Sequence, residues 1–217
     1  MKLTIDSPII QKGIRITNLL MINLFWIIGC IPIVTIGAST IAAFSVTLKI
    51  VEDREEPGIT KQFWSAYVKN LKHGIPLTLL CGAVIYICWI YWQLFFALED
   101  GFGFLLMGLV LLLLTVYHGL YICPIEARYA NSFWKNLNNA RRIFSRFFLK
   151  SLGLLCTLVI QVLLFTQVSY LLLYIGIFCL PVLMIYTTSR MVMPIFRQLE
   201  RDSKADDGFA VGASVYE

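Results

Sequence analysis

Residues 23–43 read NLFWIIGCIPIVTIGASTIAA, a run apolar enough for a lipid bilayer yet interrupted by Pro32 and Gly37. Proline lacks the backbone donor that a helix needs and clashes with the preceding turn, and glycine weakens a helix further. An unbroken helix through Asn23, Trp26, Pro32, Thr35 and Gly37 is therefore not expected. A break inside a membrane is tolerated only where hydroxyls, water or neighbouring protein satisfy the freed backbone groups. Thr35, Ser39 and Thr40 are the nearest hydroxyls. How the break is read decides how often the chain crosses the membrane.

Working outward, the composition places the whole chain in the same solvent. Of 217 residues, 59% are hydrophobic and 14% charged, where an average soluble domain has about 25% charged residues. Several apolar runs reach the roughly 20 residues that a hydrocarbon core demands. The expectation is an all-α polytopic bundle over residues 1–204, with residues 205–217 as a disordered cytoplasmic tail.

The 18 lysines and arginines fall in four blocks, Lys2–Arg15, Lys49–Lys72, Arg128–Lys150 and Arg190–Lys204, while the loop Glu99–Asp100 has none. Basic residues collect in loops that stay in the cytoplasm, so the pattern is a topology signal. It predicts a multi-pass membrane protein with a cytoplasmic C-terminus and N-terminus. The partners it implies are the lipid bilayer and its headgroups, not nucleic acid.

Taken in order, residues 1–13 are a polar start in which Ser7-Pro8 reads as a helix N-terminus, Ile14–Ile31 is the first membrane helix, PIVTIG turns, and Ala38–Val51 forms a short second one. The polar loop Glu52–Gly58 leads to a short basic interfacial helix over Gln62–Lys72. Ile75–Leu98 goes out, and Phe104–Cys123 returns to end at Pro124. A second amphipathic stretch covers Ile125–Arg146. Phe147–Val168 goes out, Ser169-Tyr170 turns, and Leu171–Val192 comes back to a close near Pro194. Six membrane helices result, or five if Ala38–Val51 does not cross. With six, every basic block lies on one side and Pro32–Gly37 is an outer turn.

Phe63-Trp64 recurs as Phe133-Trp134 and Pro124-Ile125 as Pro194-Ile195, each 70 residues on. Duplication or coincidence would produce this. The two Phe-Trp pairs are candidate interface residues, either lipid anchors or docking surfaces for a partner.

Chemistry-bearing residues are sparse. His73 reads as a solvated interface residue and His118 as a structural polar group facing the bundle. No catalytic, nucleotide-binding or metal-ligand spacing occurs, so no enzyme, metal or cofactor is expected. The six cysteines form no C-x-x-C pair. No ionisable residue falls at mid-membrane depth, where ion-coupled transport would need one.

Asn23-Leu24-Phe25-Trp26, Pro32 through Ala38, Ala42-Ala43 and Phe63-Trp64 resemble the YesL family, also called the DUF624 domain, small integral membrane proteins of Gram-positive bacteria. Hydropathy and length extend the resemblance over roughly residues 10–200, while the specific motif lies in the N-terminal third. The resemblance brings no catalytic or binding residues with it. The location it implies is the bacterial plasma membrane. Since members are often encoded beside carbohydrate importers, it implies an accessory role in carbohydrate uptake, with importer subunits as partners. A small autonomous transporter or channel, with the break lining a solute path, is the alternative.

Overall fold

The computed structural model describes residues 8–54, 57–98, 101–129, 131–167 and 170–205, without the side chains of 8–9, 167, 170–178 and 203–205. Ser7, the Glu99–Asp100 loop, Ser169 and the tail beyond Ala205 lie outside the described residues. The elements are α1 (Pro8–Gly29), a 3-10 turn (Ile33–Thr35), α2 (Ile36–Val51), α3 (Ile59–Ala97), α4 (Phe102–Arg128), α5 (Phe133–Arg146), α6 (Phe148–Gln167) and α7 (Tyr170–Ala205). No strand occurs among the described residues. The chain is an all-α membrane bundle.

Three expected helix ends are not ends. The amphipathic stretch at Gln62–Lys72 and the span from Ile75 are one helix, α3, with Pro76 inside it. Likewise α4 runs through Pro124 to Arg128, and α7 continues through Pro181 and Pro194. A proline costs a helix about 3 kcal/mol, but ending the helix in an apolar setting would strand several backbone groups, which costs more. The polar stretch after Pro124 therefore divides at residues 129–132 instead, and only Phe133–Arg146 forms a separate amphipathic helix.

Among the described residues, five segments are long and apolar enough to cross a membrane: Ile33–Val51, Ile59–Ala97, Phe102–Arg128, Phe148–Thr166 and Cys179–Asp202. This five differs from the one read in the sequence, because the doubted second helix is included and α1 is not. Of the apolar stretch in Ile33–Val51, 67% is buried, against 11% for α3, α4 and α6. The short helix is the hub of the fold. Alanines 38, 42 and 43 with Ile41, Val46, Leu48 and Ile50 are buried along it, between α1, α3, α4 and α7.

The hub also sets depth. Running antiparallel to the first half of α3, α2 meets Gly74 at Gly37 and reaches Gln62 with Lys49. The α1–α2 turn therefore lies beside the middle of α3, level with His73. Beyond Gly74 the remaining 23 residues of α3 extend about 34 Å further. Physically, α2 is about 24 Å long, too short to accompany a 39-residue partner.

The molecule consequently has two unlike halves. No residue of α3 after Leu77, of α4 before Tyr121 or of α6 after Leu154 is buried among those described. Leu80, Ile85, Trp92, Leu113 and Leu163 stand exposed there. Side chains of this kind on so large a surface belong in lipid. The packed core occupies the other end, with Arg15, Lys49, Arg128, Arg146, Lys150 and Arg197 among the basic residues there.

Candidate functional site

At the break itself, several of the freed backbone groups have partners within the protein. Thr35 Oγ1 donates to the carbonyls of Gly29 (2.8 Å) and Pro32 (2.7 Å), and Ser39 Oγ donates to Trp26 O at 2.9 Å. The indole N–H of Trp26 donates to Thr40 Oγ1 at 3.1 Å, and the Gly37 amide donates to Thr78 Oγ1 at 2.8 Å. Thr35, Ser39 and Thr40 are the hydroxyls the sequence nominates; Thr78, from α3, is one it could not. Asn23 is buried on the inner side of α1, and Pro32 is exposed at the tip of the turn.

The Phe-Trp pairs are not equivalent. Phe63 is fully buried, 5.7 Å from the Phe25 ring and 5.5 Å from that of Trp64, so it is core and not a docking surface. Trp64 is half-buried beside it. Phe133 is also half-buried, whereas Trp134 is 71% exposed. Only Trp134 stands out as a free anchor.

A buried ion network at the basic end went unread in the sequence. Arg128 ends α4 with its side chain 5% exposed, between Glu52 Oε1 at 2.7 Å and Glu200 Oε1 at 2.9 Å. Tyr129 donates its hydroxyl to Glu200 at 2.9 Å, and the Phe196 ring lies 5.6 Å from the guanidinium carbon. Burial, then the adjacent Glu200 carboxylate, raises the Tyr129 hydroxyl far above the ordinary phenol range, so it stays a donor. The network ties the ends of α2, α4 and α7 together. Its members lie 72 and 76 residues from Arg128, and no local signal announces such a pairing.

His73 belongs to a similar contact. Its Nδ1 lies 2.9 Å from Glu126 Oε2; that carboxylate is 2% exposed while the histidine side chain is 33% exposed, so the histidine is both partly open to its surroundings and the partner of a buried carboxylate. His118 bonds the Leu114 carbonyl of its own helix at 2.8 Å. Gln161 reaches from α6 to Thr187 on α7 at 2.8 Å. All six cysteines are free. Among the described residues no group of three His, Cys, Asp or Glu is placed to hold a metal.

A cavity of about 580 Å³ opens between α1, α2, α4, α6 and α7 beside the break. Trp26, Phe44, Leu120, Leu158, Pro181 and Met184 wall it, and its polar side-chain groups are the hydroxyls of Thr40, Thr115 and Thr188, the Cys123 thiol and the Trp26 indole N–H.

The closed break, the hub helix and the α3 crossing all fall between Leu19 and Trp92. A model of the family described as a protein of unknown function, DUF624, matches residues 19–92. The DUF624 match thus covers about a third of the chain and takes in the half of α1 that meets the break, all of α2 and most of α3. Arg128 and Glu200 lie beyond it. Neither a curated protein nor a solved structure matches the chain.

Proposed function

We propose that this chain is a non-catalytic accessory protein of a bacterial plasma membrane, assisting a carbohydrate importer, with its basic end in the cytoplasm. One observation carries the reading against an autonomous carrier: the interrupted segment is closed by its own hydroxyls and by Thr78. A substrate path built on a broken helix uses the freed backbone groups for solute or ion, and here the carbonyls of Trp26, Gly29 and Pro32 and the amide of Gly37 are already bonded within the protein. The lipid-facing half adds support, since residues 78–97, 102–120 and 155–166 contain no Asp, Glu, Lys or Arg to couple an ion. A sugar would also find few partners in a cavity walled by hydrocarbon. The importer context comes from the family resemblance. On this reading α3, α4, α6 and α7 cross fully, and the α1–α2 hairpin sits in the inner leaflet.

The alternative, a small transporter in its own right, is favoured by the position of the 580 Å³ cavity, directly against Trp26 and Thr40 of the break. Co-purification of the tagged chain from its native membrane in a gentle detergent separates the two. Importer permease subunits recovered in a stable ratio support the accessory role. A discrete monomer or homo-oligomer recovered alone, active in liposome uptake, would replace it.

A further inference from the structure

A cleft of about 370 Å³ at the basic end is framed by Arg15 and Asp53 on one side and by Tyr186, Arg190, Arg197 and Arg201 of α7 on the other. Positions 190, 197 and 201 recur at i, i+7 and i+11 and so share one face of the helix. Asp53 is the single carboxylate in the lining, and it is paired with Arg15. Arg190, Arg197 and Arg201 have no carboxylate within ion-pair distance among the described residues. Arg190 is held by Tyr186, with Nη1 donating to the phenol oxygen at 3.3 Å and the ring 5.9 Å from the guanidinium carbon.

Three unpaired guanidinium groups on one wall of a concave volume repel one another, and a neighbouring anion relieves this. Arg128 at the end of α4 has two carboxylates, while the cleft arginines of α7 have none among the described residues. We propose that this cleft binds a phosphate group. Guanidinium forks match phosphate oxygens with paired, charge-assisted hydrogen bonds, which a surface dotted with lysines would not do. Two sources supply that chemistry, an anionic lipid headgroup and a soluble phosphate. Ile14, exposed beside Arg15, begins an apolar outer face of α1 that continues through Leu20, Leu24 and Ile28. An acyl chain would lie along that face.

The test uses the full chain, purified in detergent and reconstituted in nanodiscs. Thermal unfolding and native mass spectrometry are read with phosphatidylglycerol, with phosphatidylcholine and with inorganic phosphate. The proposal expects stabilisation and retention with phosphatidylglycerol but not phosphatidylcholine, and a fall in apparent affinity on the order of tenfold for each arginine lost in R190Q/R197Q. R190K/R197K keeps the charge and loses the fork, so it should fall between. R141Q/R142Q, on the exposed side of α5, should bind as the parent does. Stabilisation by inorganic phosphate alone, lost in R190Q/R197Q, would assign the site to a soluble phosphate. Equal response to both lipids with none to phosphate, or binding unchanged in R190Q/R197Q, would overturn the proposal.

Discussion

Gly37 on α2 and Gly74 on α3 meet backbone to backbone. A Cβ added at Gly37 would lie 2.4 Å from the Gly74 carbonyl oxygen, and one added at Gly74 would lie 2.3 Å from the Ala38 nitrogen. Neither obstacle is a side chain that can swing away. Small residues let membrane helices approach this closely, and the approach brings Thr78 within reach of the Gly37 amide.

Gly74→Ala should therefore lose well over the 1–3 kcal/mol that overpacking typically costs, seen as a sharp drop in membrane abundance and in the detergent melting temperature. Gly82→Ala, eight residues along the same helix with nothing within 4 Å of its Cβ, should be neutral or stabilise by about 0.5–1 kcal/mol. Equal behaviour of the two variants would dissolve the close-crossing argument.

Removing the charge of Arg128 should be costly because it strands two carboxylates, of which Glu52 is 6% exposed. Arg128→Gln is expected to destabilise by about 3–5 kcal/mol. Adding Glu52→Gln and Glu200→Gln should restore much of that, since the unpaired charges are then gone. A triple variant no more stable than Arg128→Gln would mean that packing against Phe196, not charge, holds the corner.

Thr35→Val deletes the hydroxyl shared between the Gly29 and Pro32 carbonyls. The Pro32 carbonyl keeps the Thr35 amide at 2.9 Å and the Gly29 carbonyl the Tyr67 hydroxyl at 3.5 Å, so the expected cost is that of one hydrogen bond, about 0.5–1.5 kcal/mol. Thr35→Ser should keep most of the stability. If the valine variant stayed abundant and stable while solute uptake vanished, the break would be a transport element and the architectural reading would fail.

The Phe-Trp pairs should separate experimentally. Phe63→Ala opens a core cavity and should cost about 3–5 kcal/mol. Trp134→Ala should leave the melting temperature unchanged and instead weaken membrane association or partner recovery. A stability loss at Trp134 matching that at Phe63 would show the two helices to be equivalent.

Much of the site was legible because it is local. Thr35, Ser39 and Thr40 lie within eight residues of Pro32, so a chain with a break there needs hydroxyls close by, and the sequence displays them. Thr78 was hidden because it arrives from another helix. The same separation hid Glu52 and Glu200 from Arg128, and it hid Glu126, 53 residues on, from His73.

By itself the sequence determined the solvent and the class. Long apolar runs must sit in lipid, and backbone in lipid must be helical or closed into a barrel; composition and spacing express both requirements directly. The tertiary structure alone decided that the short second helix is the hub, that its turn stops level with Gly74, that prolines 76, 124 and 194 bend no helix to an end, and that one half of the molecule holds all of the described buried core. Those outcomes depend on which distant faces fit together, and the close fit of Gly37 to Gly74 is a property of the pair that neither stretch carries alone.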